Sequence, residues 1–486
     1  MLLWAPFGCH PKDWAPIFKL NTAAVKISNY ENDADLFLRS DICTGCAWRK
    51  ECGMSGDGTT LLVSITHAMH VKVANGVKTL CEKTLELGNQ GTYALDVGKC
   101  QFSEVIAAEN PIYSWVIILI GLAVMLFGHD LYLLVKNGFS PKQTDANEFN
   151  FGNIPTKPPA KRLLSVSVMR GFAIFLMAFM NAFGGGKIIF MHSEWDGITL
   201  SDFFYPVFLF CAGMSSQVAM TYRTAFDFKG FLIRSFKNVL IGLFIVNGGL
   251  DWRTLRFMGI LQRLVICQLV LVPLQVWQNV KQEDLVTLRA KKWASGSLLW
   301  SLFGEWATIS AVAVATIALN IVYLYMRYIP VEGCPIGYGG PGGLDAGGKY
   351  PHCTGGFFGA FDRAVFGKHV YDGALCKHVW QCIDIDPEGM LTSIGSMINI
   401  AVGIHAAQIL RWYPTRAEQN TRFIAYGIAT TLIGLLFNEI APPNKQMWTH
   451  SFAFITAGGS YFLYLIFRTL VDQEETYVKL RSMAYL

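Results

Sequence analysis

The chain has 486 residues, of which 52% are hydrophobic and only 15% are charged, and its net charge is +5 at neutral pH. Soluble domains have about 25% charged residues, so this composition excludes an ordinary soluble protein. The small positive charge does not indicate nucleic-acid binding, because in a membrane protein the positions of lysine and arginine along the chain matter more than their sum.

Residues 1–110 contain no apolar run long enough to cross a membrane. Alternating segments such as 59–71 predict strands of a small β-rich domain. Pro6 interrupts the apolar start of the chain too early for a signal peptide. We therefore expect either residues further upstream or the first transmembrane helix to direct membrane insertion.

Cysteines cluster in this predicted domain, at Cys43, Cys46, Cys52, Cys81 and Cys100. Zinc binding would need four well-spaced ligands, and the Cys-x-x-Cys pair formed by the first two has no second copy. Disulfides formed in an oxidising compartment are therefore the favoured interpretation.

Nine apolar runs follow, continuous rather than alternating as in barrel strands, and they predict nine transmembrane helices. The predicted helices are 112–135, 163–190, 203–221, 231–246, 257–277, 306–328, 390–410, 423–437 and 452–470. We divide the chain into the β-rich domain at 1–110, a first helical segment at 111–135, a linker at 136–162, a membrane core at 163–470 and a tail at 471–486.

Lysine and arginine are concentrated in the linker, in the tail and in the loops 222–237, 278–297 and 411–422. The positive-inside rule makes these segments cytosolic and places the β-rich domain and the loop 329–389 in a lumen. That loop adds an even set of cysteines, Cys334, Cys353, Cys376 and Cys382, as expected in a compartment where disulfides persist.

A polar segment at 187–197 separates two long apolar runs and contains His192 and Glu194. An imidazole at a membrane surface can be a nucleophile toward a thioester or a general base toward an amine. An interfacial histidine without a catalytic role is the alternative. Asn181 and Asp202 lie close enough in sequence to support His192.

Two arginines lie within or at the edge of predicted membrane helices, where a charge is costly and faces a polar interior. Arg170 is near the predicted cytosolic end of its helix and suits a phosphate-rich ligand. Arg263 lies about two turns from the lumenal end and is expected near the reacting centre. A structural pairing role fits each arginine equally well.

Asp386 and Glu388 come directly before the seventh predicted helix. Acidic residues there are typical of a helix N-cap, because they complement the positive end of the helix dipole. A substrate contact at the lumenal mouth is the alternative interpretation.

Motifs spread in order from about 160 to 470 resemble those of the heparan-α-glucosaminide N-acetyltransferase family. They are Arg170-Gly171, His192-x-Glu194-Trp195-x-Gly197-x-Thr199-x-x-Asp202, Gly259-Ile260-Leu261-Gln262-Arg263-Leu264, Gly333-Cys334-Pro335-x-Gly337-Tyr338, Gly348-Lys349-Tyr350-Pro351-x-Cys353 and Asp386-Pro387-Glu388-Gly389.

The resemblance implies a multi-pass lysosomal membrane protein with a lumenal N-terminus, forming a homodimer. It implies transfer of an acetyl group from cytosolic acetyl-CoA to the terminal glucosamine amine of heparan sulfate, without a metal. His192 aligns with the family's active-site histidine, which either becomes acetylated or deprotonates the amine in a ternary complex. Asn181, Glu194, Asp202 and Arg263 are expected to support it. Acetyl-CoA is expected at Lys161, Arg162 and Arg170, and the sugar at Lys187, Arg253, Arg256, Asp386 and Glu388.

Two of the chain's departures from the family pattern bear on its activity. Ser167 stands where the family usually has an aspartate, which removes the expected partner of Arg170. The family has eleven transmembrane helices, whereas this chain ends at Leu486 after the ninth. A truncated inactive relative is therefore one alternative, and an acyltransferase of the same fold acting on another amine or sugar is a second. A transporter would show inverted repeats, which the sequence lacks.

Overall fold

The computed structural model describes fourteen segments of the chain, namely residues 8–11, 22–30, 34–43, 45–54, 58–64, 67–88, 90–107, 163–183, 190–221, 226–247, 255–281, 310–373, 376–413 and 415–472. The first predicted transmembrane helix and the linker 136–162 lie outside the described residues. So do four predicted binding residues, Lys161, Arg162, Lys187 and Arg253.

The described residues of the N-terminal part form nine strands in two sheets. The strands are β1 Gly8–Pro11, β2 Thr22–Ser28, β3 Ala34–Ser40, β4 Arg49–Met54, β5 Thr59–Ser64, β6 Met69–Asn75, β7 Lys78–Leu85, β8 Thr92–Asp96 and β9 Gln101–Ile106. One sheet has the order β1-β5-β2-β8-β9 and the other β4-β3-β6-β7. The predicted β-rich region is thus confirmed, although the segment 59–71 contains β5 and the start of β6 rather than one strand.

The two sheets share one hydrophobic core and form a β-sandwich. The core includes Val25 and Leu95 from the first sheet and Leu36 and Val73 from the second. Side chains of β3 alternate between buried and half-buried positions, because successive residues of a strand face opposite sides. Disulfides connect Cys9 to Cys52 and Cys81 to Cys100. Cys9, the partner of Cys52, was not among the cysteines predicted to cluster.

The rest of the described chain is helical, with eleven α-helices. They are α1 Leu164–Phe183, α2 Leu200–Thr221, α3 Phe228–Val246, α4 Ile260–Lys281, α5 Ser310–Met326, the single turn α6 Asp345–Gly348, α7 Gly356–Phe366, α8 Cys376–Trp380, α9 Ser393–Trp412, α10 Arg416–Asn438 and α11 His450–Val471. A short 3₁₀ turn, Gly367–His369, follows α7.

Six of the described helices are long and apolar enough to cross a membrane, namely α1, α2, α4, α9, α10 and α11. Of the other long helices, α5 has only 17 residues and α3 contains Lys229, Arg234 and Lys237. A polytopic helical membrane protein is therefore confirmed, but the predicted number of nine spans is not.

Glycines allow α2 and α9 to cross in close contact. A Cβ atom at Gly213 would collide with the carbonyl of Ile400, and one at Gly403 would collide with the carbonyl of Phe210. Small residues are common where membrane helices approach closely, since dispersion contacts rather than hydrophobicity drive their association. This crossing fixes the position of α2, whose first turn contains Asp202.

Hydrogen bonds join the loops at one end of the helices, which we call the site end. The amide of Gly197 between α1 and α2 donates to the carbonyl of Pro443 between α10 and α11 at 2.7 Å. The segment between α5 and α9 packs at the same end, and disulfides connect Cys334 to Cys353 and Cys376 to Cys382 within it.

The β-sandwich contacts this end through backbone hydrogen bonds. The amide of Ala47 donates to the carbonyl of Leu344 at 3.3 Å, and the amide of Gly347 donates to the carbonyl of Gly45 at 3.0 Å. A third disulfide of the β-sandwich, Cys43–Cys46, closes the turn from which these contacts come. Both of its cysteines belong to the same buried cluster as Trp195. The two parts of the protein therefore meet beside the polar segment that contains His192.

Candidate active site

His192 is held by a buried carboxylate from the first turn of α2. Its Nδ1 lies 2.7 Å from Oδ1 of Asp202, a residue with no solvent exposure. The other carboxylate oxygen, Oδ2, accepts hydrogen bonds from the amide of Ser193 at 3.0 Å and from the amide and hydroxyl of Thr199 at 3.3 and 2.9 Å. Three donors on Oδ2 therefore hold the carboxylate in the orientation in which Oδ1 contacts the imidazole.

The Asp202 contact determines which ring nitrogen of His192 is available for chemistry. An ionised carboxylate can only accept, so the 2.7 Å contact places the hydrogen on Nδ1. The second nitrogen, Nε2, then has a lone pair and lies 3.2 Å from the side-chain amide oxygen of Asn181 near the end of α1. An amide in the flipped orientation would donate to this nitrogen. The predicted supporting roles of Asn181 and Asp202 are consistent with this geometry.

Lys445 is the residue at this site that the sequence analysis missed. Its Nζ lies 3.0 Å from Nδ1 and 3.5 Å from Nε2 of His192, and 3.4 Å from Oδ1 of Asp202. The one available signal was its charge, because short loops on the predicted lumenal side contain few basic residues. The site thus combines an imidazole, a carboxylate and an ammonium group.

Lys445 reaches His192 because the loop before α11 is bonded to the polar segment after α1. Besides the Gly197–Pro443 bond, Nδ2 of Asn444 donates to Oδ1 of Asp196 at 3.2 Å. Nε2 of Gln446 also donates to the carbonyl of Glu194 at 3.0 Å. These bonds define two paired segments, 190–199 and 441–449, that hold the site together.

The carboxylate of Glu194 faces the β-sandwich. Its Oε1 lies 3.5 Å from Nε2 of His67, in the turn between β5 and β6, and Glu194 is only 5% exposed. The predicted supporting residue Glu194 is therefore close to His192 in sequence, but its side chain contacts a different histidine. Sequence spacing gave no sign of this contact.

Arg256, Asp386 and Glu388, each predicted to bind the sugar, contact one another in the structure. Nε and Nη2 of Arg256 donate to the two oxygens of Asp386 at 3.0 and 2.5 Å, and Nη2 also donates to Glu388 at 2.5 Å. Burial by itself lowers the pKa of Arg256, but the negative charges of Glu388 and Asp386 outweigh it and raise that pKa. The guanidinium group thus remains charged.

The predicted helix cap at Asp386 and Glu388 is wrong. The helix α9 begins at Ser393 after Thr392, and Oδ1 of Asp386 accepts instead from the amide of Glu388 at 3.0 Å. Both carboxylates pair with Arg256, which is far away in sequence.

Arg263 lies in the first turn of α4, nearer the helix end than predicted, because regular helix begins only at Ile260. It is fully buried. Its Nη2 donates to the carbonyl of Pro387 at 2.8 Å and to the hydroxyl of Thr392 at 2.6 Å, and its guanidinium carbon lies 4.6 Å from the ring centre of Trp448. These contacts give Arg263 the structural role that was the alternative to a place beside the reacting centre, because they fix the start of α9.

The predicted donor-binding residue Arg170 is exposed and lies about two turns from the start of α1. Asn181 is near the other end of the same helix, at the site end. Among the residues that the structure describes, no group of histidine, cysteine and carboxylate side chains is arranged to hold a metal ion.

A polytopic helical protein with a histidine fixed by a buried aspartate at one end of its bundle is typical of a membrane enzyme that uses general-base or nucleophilic catalysis. No protein-family model matches the chain. It is 29% identical over 500 aligned residues to heparan-alpha-glucosaminide N-acetyltransferase of Mus musculus, which covers 90% of this chain and 75% of that protein. It is 30% identical over 464 residues to the protein of the same name from Homo sapiens. That alignment covers 81% of this chain and 67% of the human protein. The chain therefore belongs to the heparan-α-glucosaminide N-acetyltransferase family, a family of acyltransferases.

Proposed function

We propose that this protein transfers the acetyl group of acetyl-CoA to the terminal glucosamine amine of heparan sulfate across the lysosomal membrane. The observation that supports this most directly is the contact of His192 with Asp202 and Lys445 at the site end of the bundle. The names of the two relatives provide the acetyl group and the acceptor class. The donor, the lysosomal location and the orientation come from the sequence resemblance and from the distribution of lysine and arginine.

In the proposed reaction, Nε2 of His192 removes a proton from the acceptor amine, and the amine nitrogen attacks the thioester carbonyl. The tetrahedral intermediate then collapses and the carbon–sulfur bond breaks. The proton held by Nε2 passes to the CoA thiolate, which leaves as the free thiol. Asp202 stabilises the imidazolium formed on the way, since its ionised oxygen accepts from Nδ1 throughout.

A covalent route uses the same groups. The lone pair of Nε2 would attack the thioester and displace CoA, giving an acetyl-histidine that the acceptor amine then cleaves. In either route the carbonyl oxygen becomes negatively charged. The ammonium of Lys445, 3.5 Å from Nε2, is placed to stabilise that charge, as donors in an oxyanion hole do.

The donor is proposed to enter from the opposite end of the bundle. Arg170 is exposed on α1 towards that end, and a guanidinium group matches the geometry of phosphate. Lys161 and Arg162 precede it in the sequence and would add positive charge for the CoA phosphates. The protein is expected to act as a homodimer without a metal.

The test uses the purified full-length protein in nanodiscs with radiolabelled acetyl-CoA, with and without a glucosamine-terminated heparan oligosaccharide. His192→Ala is expected to reduce acetyl transfer by about 100- to 10,000-fold, the usual contribution of a general base. Label that stays on the wild-type protein without an acceptor favours the acetyl-histidine route.

His352→Ala is the matched control, because His352 is exposed in the segment between α5 and α9. It is expected to transfer acetyl groups at the wild-type rate. Transfer by His192→Ala at the control's rate would rule out the catalytic role of His192. Transfer to other amino sugars but not to the heparan oligosaccharide would support an acyltransferase of different acceptor specificity.

A further inference from the structure

A cavity of about 440 Å³ lies at the site end, next to the paired segments 190–199 and 441–449. Its volume falls within the usual range for small-molecule sites, roughly 300–1,000 Å³. It is formed by the end of α5, the loop 335–340, one side chain of α7 and the segment before α11. None of its lining residues has a role in the reaction proposed above.

The charged and aromatic groups that line this cavity define the chemistry of its ligand. Arg327 is held in place, since its Nε donates to the carbonyl of Gly337 at 2.7 Å and its Nη1 donates to the carbonyl of Ile440 at 3.4 Å. Asp196 contributes a carboxylate, and Tyr323 and Tyr338 contribute aromatic surface. Aromatic surface with a few fixed polar groups suits a sugar ring, and the guanidinium adds a preference for an anionic one.

The cavity is connected to the catalytic groups through both paired segments. Asp196 lines it and follows His192 closely on one segment. Asn444 lines it and directly precedes Lys445 on the other, and the hydrogen bond between Asn444 and Asp196 joins the two. The cavity thus lies beside the two segments that contain the catalytic groups.

We propose that this cavity binds the second sugar of the acceptor chain, a uronic acid, and that Arg327 pairs with its carboxylate or its sulfate. The inference rests on the proposed function, because it assigns a subsite to the same acceptor. Arg327 then determines specificity: it favours an anionic oligosaccharide over free glucosamine without touching the reacting atoms.

The test compares three acceptors in steady-state acetyl transfer. They are free glucosamine, a disaccharide of glucosamine linked to a uronic acid, and the same disaccharide with a sulfate on the uronic acid. Arg327→Gln is expected to raise KM for both disaccharides by about tenfold, the value of one charge-assisted hydrogen bond. KM for glucosamine and kcat for all three acceptors are expected to stay at wild-type values.

The two disaccharides distinguish the sources of negative charge. An equal rise in KM for both assigns Arg327 to the carboxylate, and a rise confined to the sulfated form assigns it to the sulfate. Equal effects of the variant on glucosamine and the disaccharides, or no effect on any of them, would overturn the proposal.

Two further variants separate charge from structure. Arg327→Lys keeps the charge and is expected to recover part of the disaccharide affinity, which a purely structural role would not predict. Lys368→Gln removes one exposed positive charge outside the cavity and is expected to leave every KM unchanged.

Binding of the sulfated disaccharide, measured by calorimetry on the wild type and Arg327→Gln, tests the cavity without turnover. Tighter binding by the wild type, weakening as salt is added, supports the cavity even if no acceptor is acetylated and the proposed function fails. Equal binding by the two proteins contradicts the proposal even if transfer is observed.

Discussion

Lys445 adds a positive charge to what would otherwise be a simple histidine–aspartate pair. Its ammonium contacts both ring nitrogens of His192 and one oxygen of Asp202, and its side chain is only 15% exposed. The carboxylate is therefore shared between an imidazole and an ammonium, and a positive charge is present before any negative charge develops on the substrate.

Lys445→Met is expected to lower kcat by about 100-fold, the usual cost of losing one donor to a developing oxyanion. KM for acetyl-CoA is expected to change little, because the interaction strengthens only in the transition state. Steady-state kinetics beside Lys445→Arg, which keeps the charge, provides the measurement. A rise in KM with unchanged kcat would show that Lys445 binds substrate instead.

Asp362 makes stability depend on pH. Burial raises its pKa from an ordinary value of 3.8 to about 7, and the hydrogen bond from the amide of Met390 offsets this only in part. The folded protein therefore holds a proton on Asp362 between these two pH values that the unfolded chain has lost. The free energy of unfolding from this group falls as pH rises through that window, by at most about 1.4 kcal/mol per pH unit.

The wild type is expected to melt at a higher temperature at pH 5 than at pH 7, and Asp362→Asn is expected to reduce that difference. Thermal unfolding of both proteins in the same detergent provides the comparison, with Asp372→Asn, an exposed carboxylate, as the control. An unchanged difference in Asp362→Asn would show that other groups cause the pH dependence.

Among the described helices, α2 and α9 cross with little spare room. Gly213→Ala is expected to destabilise the protein by about 1–3 kcal/mol, because the added methyl group meets the backbone of Ile400, which cannot move aside as a side chain would. A lower melting temperature and a lower yield of folded protein are the readouts. Gly45→Ala, which places its methyl group in open space, is expected to match the wild type.

The positions of the described helices could be predicted from long apolar runs, but the residues at which the helices end could not. The eighth predicted helix, 423–437, begins about two turns earlier in the structure. The hydroxyl of Thr415 accepts from the amide of Glu418, and Arg422 is covered by the ring of Tyr413, 3.3 Å from its guanidinium carbon. A polar first turn with a good cap extends a helix beyond its apolar run, and hydropathy alone does not detect it.

The candidate site was predictable where its residues are neighbours in sequence and not where the fold brings distant ones together. Asn181, His192 and Asp202 lie near one another along the chain, so their grouping was expected. Lys445 is 253 residues away from His192, and no periodicity or spacing relates them. His67 reaches Glu194 only because the β-sandwich docks on the site end.

In the whole molecule, the β-sandwich and the segment between α5 and α9 both pack against the polar segment after α1. The sandwich has three disulfides of its own and the other segment has two. Each is thus cross-linked internally, and backbone hydrogen bonds among Gly45, Ala47, Leu344 and Gly347 connect the two.

The pairing of segments 190–199 and 441–449 also determines when, during synthesis of the protein, its catalytic groups can come together. The ribosome makes His192 and Asp202 early, whereas Lys445, Asn444 and Gln446 emerge only when nearly all the described chain has been translated. Until then the imidazole has its carboxylate but not its ammonium, and the polar segment lacks its hydrogen bonds to Pro443, Asn444 and Gln446. The nascent protein therefore stays chemically incomplete until the loop before its last described helix arrives.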